Sequence, residues 1–274
     1  MRDISIFARM PRYQRTYYAR YPHIIRGSSV IRGIQVAEHL GCKLNPESGY
    51  ENDVCIHVKP NDLDAIKDGD WVDVVDSHSL RELLIDRPEV NVITVSELVK
   101  NMYSPVIKNQ IVVIEPHHCN FDRDKRIRQE ITTVGYIGSY AAFGFDFEEM
   151  KKMVEGVGLN FIYSLEYRSR EDVVDFYKQI DIQLVYAHRK VSRQSIGPTK
   201  AINAASFGIP TVAYPQVCYQ EIEGKYIKAG NFDQLLDELK KLKDREYYES
   251  WATKVDWTEK YHISERAKLY KELT

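Results

Sequence analysis

Two places in this 274-residue chain put acid–base side chains where a proton could be moved. Asp76-Ser77-His78 follows the apolar run Trp71–Val75, and Glu115-Pro116-His117-His118 follows Ile111–Ile114. A carboxylate or imidazole just past a buried strand is well placed to take a proton from a bound hydroxyl. His78 and Asp76 are the catalytic candidates on that ground, with His117 and His118 the second option. Adjacent histidines rarely chelate one ion, and Cys119 leaves the ligand set incomplete, so no metal is expected there. The pairs Asp62/Asp64 and Asp122/Asp124 stand away from strand ends. A third locus is cationic: residues 1–32 hold seven arginines and one acid, a local charge of +6, which leaves −8 on the rest of a chain whose net charge is −2. Arg9, Arg12, Arg15, Arg20 and Arg26 interleave there with Tyr13, Tyr17, Tyr18 and Tyr21. Cations alternating with stacking aromatics suit a nucleic-acid strand, an anionic glycan, a lipid phosphate or an anionic membrane surface.

The elements that must position these groups show in the hydropathy pattern. Short apolar runs alternate with helical periodicity, which predicts a parallel α/β architecture. Strands are expected at Ile4–Phe7, Val54–Val58, Trp71–Val75, Val92–Val95 and Ile111–Ile114, with helices over Ser29–Leu40 and Glu97–Tyr103. The charged run Asp122–Glu130 interrupts the pattern and is the expected domain boundary. Beyond it, strands are expected at Thr132–Ile137, Asn160–Tyr163, Ile182–Tyr186 and Thr211–Tyr214. Helices fall at Phe147–Val157 and at Ser169–Ile180, where Ser169 and Asp172 form a capping box. A basic loop, Ala187–Gly197, leads to Pro198, and the helix Thr199–Phe207 stops at Gly208. The tail from Phe232 is helical and amphipathic.

Composition narrows the class. At 43% hydrophobic and 28% charged the chain can build a sizeable core. Four scattered cysteines without a CxxC pair argue against a disulfide framework or a zinc ribbon. No apolar run approaches the ~20 residues that span a bilayer, and Pro11 and charges interrupt the N-terminal stretch, so a cytoplasmic protein without a signal peptide is expected.

The stretch Gly197-Pro-Thr-Lys-Ala-Ile-Asn-Ala-Ala-Ser-Phe-Gly-Ile-Pro-Thr-Val-Ala-Tyr214 resembles the nucleotide-sugar-binding segment of GT-B glycosyltransferases of the family 4, or group 1, type. Gly135-Tyr-Ile-Gly-Ser139 is similar to the first strand and glycine turn of their donor domain, Asp175–Val185 to their "y-x-x-a-D-v-x-v" element, and Asp256-Trp-Thr…Tyr270 to their closing helix. The resemblance covers residues 132–274 well and the N-terminal half more weakly. It implies two facing Rossmann-like, doubly wound parallel sheets. An acceptor-side domain would span 1–121 and a donor domain 122–255, with 256–274 returning to the first. It implies a metal-independent hexosyltransferase that holds no tightly bound cofactor and uses a nucleotide-diphosphate sugar, a UDP-sugar first among them, as co-substrate.

Physical chemistry gives the motif a rationale. A diphosphate needs backbone N–H groups and cations at a helix start. Gly138 and Ser139 offer open backbone, Thr199 and Lys200 offer amides and an ammonium, and Arg189 and Arg193 on the preceding loop add guanidinium groups. By the resemblance Tyr167 lies at the nucleotide base and Glu221 in the loop that meets the donor sugar. The paired glutamates of many retaining members fall here on Ser195 and Asn203, which hydrogen-bond but carry no charge. Retaining and inverting chemistry therefore both stay open. The acceptor side is expected to use Arg12, Arg15, Tyr17, Arg20, Arg26 and Arg32, with Ser28 and Ser29 opening the first helix toward a phosphate. The acceptor classes that fit are a glycan, a lipid-linked phosphate or DNA. The last would mean a phage-type enzyme, in the cytoplasm of an infected host, acting on hydroxymethylated bases. A sugar-nucleotide epimerase and a non-catalytic sugar-nucleotide-binding protein are the other readings.

Overall fold

The computed structural model describes residues 2–8, 27–60, 64–75, 79–139, 142–167, 169–186 and 197–274. The described residues fall into two compact units. The N-terminal unit runs to His117 and also takes in Gly197 and Ile263–Thr274; the C-terminal unit holds His118–Tyr186 and Pro198–His262. The chain thus passes between units at His117/His118, at Gly197/Pro198 and at His262/Ile263, the first and last of these a few residues from the expected 122 and 256.

Within the C-terminal unit the charged run is held by an acid. Asp181, on the last turn before a strand, is buried and takes Arg126 Nη2 at 3.2 Å and Arg128 Nε at 3.1 Å on one carboxylate oxygen. Its other oxygen accepts from the backbone N–H groups of Thr132 and Thr133, each at 2.9 Å. The charged run is therefore part of the C-terminal unit and not a solvated linker.

The N-terminal unit is built on a six-stranded parallel sheet. Its strands are β1 (Ile4–Ala8), β2 (Lys43–Leu44), β3 (Val54–Val58), β4 (Trp71–Asp73), β5 (Asn91–Thr94) and β6 (Ile111–Val113), in the order β2-β1-β3-β4-β5-β6. Every residue of β3 and β4 is buried, which accounts for their nearly unbroken apolar sequence. The first helix runs continuously through Gly27–Ser29, a π turn at Val30–Ile34 and Gln35–Leu40, and stops at Gly41 in the left-handed conformation. Gly33 lets this helix touch β1, since a Cβ there would overlap Ala8. Helices Ser79–Ile85 and Glu97–Tyr103 follow β4 and β5, and the second is capped by Ser96. Helix Ile263–Lys271 completes the unit, packing on Gln35–Leu40 and joining its Arg266 to Glu115 at 2.5 Å.

The C-terminal unit has a five-stranded parallel sheet: β7 (Thr133–Ile137), β8 (Asn160–Ser164), β9 (Ile182–Val185), β10 (Thr211–Ala213) and β11 (Ile227–Lys228), in the order β11-β10-β9-β7-β8. Helix Phe147–Gly156 is capped by Asp146, and Arg170–Gln179 by the expected box of Ser169 and Asp172. Helix Thr199–Ser206 follows β9, and helices Phe232–Lys241 and Arg245–Ala252 lead to a 3-10 segment, Asp256–Tyr261. Val134, Tyr136, Phe143, Met150, Leu184 and Leu235 lie at the centre of its largest core cluster. Strand β8 lies on one side of β7 and β9 on the other, so the winding reverses between β7 and β9. A crevice forms beyond the carboxyl ends of strands at such a point. In the N-terminal unit the same reversal falls between β1 and β3.

Candidate functional site

The carboxyl end of β7, at that reversal, brings Lys200 from a distant helix onto the turn Tyr136–Ser139. Gly138 leaves the strand with φ of 147°, a conformation that L side chains rarely adopt, while its N–H donates to the Ser164 carbonyl at 3.0 Å. A Cβ on Gly138 would stand 2.8 Å from Lys200 Cε and 3.3 Å from its Nζ. Lys200 reaches this spot from the second position of the Thr199–Ser206 helix, whose N-cap residue, Pro198, makes no side-chain capping bond. Its backbone carbonyl accepts from the Tyr177 hydroxyl at 3.3 Å, and its ammonium lies 5.8 Å from the centroid of the Tyr136 ring. The carbonyl of Ser139 is turned onto the Tyr136 hydroxyl at 2.9 Å and the Ala142 N–H at 3.0 Å. An open glycine turn, a helix start and an ammonium converging on one point make an arrangement suited to an anion such as a phosphate.

Other expected residues lie around this centre with different partners. Asn203 is buried, and its Oδ1 accepts from the Cys119 N–H at 2.9 Å, while the Tyr177 hydroxyl also bonds its side chain. It therefore ties the start of the C-terminal unit to the helix that carries Lys200. Tyr167 is half-buried against the cluster of Cys119, Val174 and Tyr177. Glu221 is exposed on the 3-10 segment Val217–Ile222 after β10. Burial pushes the neighbouring Cys218 thiol up to about 12, with smaller opposing effects from Lys200, which lowers it, and Glu221, which raises it.

In the N-terminal unit Arg32 lies elsewhere than expected. Its side chain is 2% exposed, its Nε pairs with the fully buried Asp73 carboxylate, and its Nη1 donates to the Ile114 carbonyl at 2.8 Å. The helix register turns it inward, so it is a tie within the core of the unit and not an acceptor contact. His117 is also buried, with Nε2 2.8 Å from Gln35 Oε1. His118 lies inside the C-terminal unit. Asp76, His78, Arg189, Arg193, Ser195, Arg12, Arg15, Tyr17, Arg20 and Arg26 lie outside the described residues. Among the described residues no group of three His, Cys, Asp or Glu side chains could hold a metal, and no helix is long and apolar enough to cross a membrane. Sequence reasoning missed Tyr136 and Tyr177, which read there as strand and helix packing residues.

No protein-family model matches the sequence, and no curated protein does. Solved structures match the backbone. Anabaena HepE, solved in complex with UDP and glucose, aligns over 99% of this chain and 99% of its own, with a TM-score of 0.64 at 10% identity. The fold is GT-B. An S. aureus TarM variant in complex with fondaparinux, alpha-GlcNAc-glycerol and UDP aligns over 83% of this chain at a TM-score of 0.52 and 13% identity. The glycosylation-associated Gap123 complex of Streptococcus agalactiae aligns over 81% at a TM-score of 0.56 and 10% identity. The chain spans about half the length of these two, 52% and 54% respectively. In this GT-B chain both sheets are doubly wound and wholly parallel, and the Lys200 cluster stands at the winding reversal of the second.

Proposed function

We propose that this GT-B chain is a hexosyltransferase that takes a sugar from a nucleotide-diphosphate sugar, a UDP-sugar, and passes it to a hydroxyl of an anionic or polymeric acceptor. The observation that carries the reading is the Lys200 ammonium beside the Gly138–Ser139 turn at the reversal between β7 and β9. The fold shared with HepE along the whole chain, and the UDP and glucose in that structure, support it.

The chemistry follows from charge. The bond between the sugar's anomeric carbon and the diphosphate breaks, and negative charge builds on the departing phosphate oxygen. In this reading the Lys200 ammonium and the amides at the start of its helix face that oxygen, and so stabilise the transition state more than the ground state. The acceptor hydroxyl forms the new bond, and its proton passes to a base, for which Asp76 or His78 after β4 is proposed. Lys200 supplies charge neutralisation of the kind that a divalent cation gives elsewhere, so turnover is expected to survive a chelator. The Arg- and Tyr-rich segment, which follows β1 in the sequence, is proposed to bind the acceptor.

Incubation with a panel of nucleotide sugars, following nucleotide release, tests the reading. Slow hydrolysis of one UDP-sugar, accelerated by an added glycan acceptor, is expected. Failure to bind any nucleotide would overturn it.

A further inference from the structure

Three groups converge on the missing side chain of Gly138: the Cε and Nζ of Lys200, and the hydroxyl of Tyr136, which would stand 3.0 Å from a Cβ there. The Tyr136 ring is fully buried and packed between tilted aromatic neighbours, with Phe143 at 4.4 Å and Phe147 at 5.7 Å between centroids. A hydroxyl on so fixed a ring has little freedom, and its hydrogen bond is directed at the carbonyl of Ser139. That carbonyl matters because an outward-facing oxygen in the turn would repel a phosphate. The Tyr136 hydroxyl and the Ala142 N–H together hold it inward. The ring face does a second task, since an ammonium within about 6 Å of an aromatic centroid is attracted by its quadrupole. Lys200 is thus kept beside the turn by an uncharged group that does not compete for its charge.

We infer that Tyr136 is a positioning residue for the diphosphate: its hydroxyl fixes the polarity of the Gly138–Ser139 turn and its ring holds Lys200 against it. This rests on the donor reading of the same site. The role belongs to the phosphates and not to the nucleoside, and that difference is measurable.

The probes are UDP and uridine, measured on the full chain by calorimetry and ligand-observed NMR. Tyr136→Phe keeps the ring and removes the hydrogen bond; its Kd for UDP is expected to rise about tenfold, with uridine binding unchanged. Tyr136→Leu also removes the ring face and is expected to lose more UDP affinity. A hydrogen-exchange readout on the wild-type chain needs no variant: UDP is expected to slow exchange at the Ala142 amide. Equal UDP affinity in Tyr136→Phe, an equal loss for UDP and uridine, or Ala142 exchange indifferent to UDP would each overturn the inference. If the wild-type chain binds no UDP at all, the donor reading fails first and the inference with it.

Discussion

The imidazoles of His118 and His262 meet edge to face with ring centroids 5.4 Å apart, and the backbone N–H of His118 donates to the Tyr261 carbonyl at 2.9 Å. Burial first, and then the neighbouring His262, hold the His118 pKa down to about 4. Glu259 pulls it up and Arg123 pushes it down by smaller amounts. Below the ordinary value near 6.5 the unfolded chain takes up this proton before the folded one does. The C-terminal unit should therefore keep its full stability above about pH 6.5 and lose roughly 3 kcal/mol from this group as pH falls toward 4. Urea unfolding at a series of pH values measures the slope, and His118→Gln should flatten it.

Lys200→Ala should leave the fold intact and weaken UDP binding by roughly ten- to a hundredfold, the range for one charge-assisted hydrogen bond. Calorimetric titration with UDP checks this. An unchanged Kd would remove Lys200 from the site.

Gly138→Ala places a methyl group 2.8 Å from Lys200 Cε in a backbone conformation that alanine resists. A cost of about 1–3 kcal/mol in stability is expected, together with displacement of Lys200 and loss of UDP affinity. Thermal unfolding and the same titration report the two effects separately.

Asp73→Ala would leave the buried Arg32 guanidinium without its carboxylate, which costs about 3–5 kcal/mol in buried pairs. The double variant Arg32→Leu/Asp73→Leu should cost clearly less than Asp73→Ala, because no isolated charge remains inside. Denaturant midpoints of the three proteins make the comparison.

Much of the architecture was legible in the sequence, for reasons that can be named. The nine strands read from apolar runs are present within one or two residues, because buried parallel strands must be apolar on both faces. The short strands β2 and β11 escaped notice, since two-residue edge strands carry no periodic signal. The π turn at Val30–Ile34 was equally hidden: its apolar spacing fits an ordinary helix. Gly138, Ser139 and Lys200 were singled out by the resemblance to a GT-B donor segment and by the Pro-led helix start, and the structure brings Lys200 beside Gly138. Arg32 and the partners of the run Asp122–Glu130 could not be read for one shared reason. A charged side chain looks solvent-bound in sequence, and only the fold reveals that Asp73 and Asp181 lie buried to receive them.

The last crossing of the chain, at His262/Ile263, has a consequence for biosynthesis. Domains usually fold in order as they leave the ribosome, the first made being the first complete. Here every residue of the C-terminal unit is translated before Ile263–Thr274, which the N-terminal unit needs to cover the Gln35–Leu40 helix and to pair Arg266 with Glu115. The unit whose synthesis begins first is the one that must wait, with its helix face open, until the ribosome has delivered that closing helix.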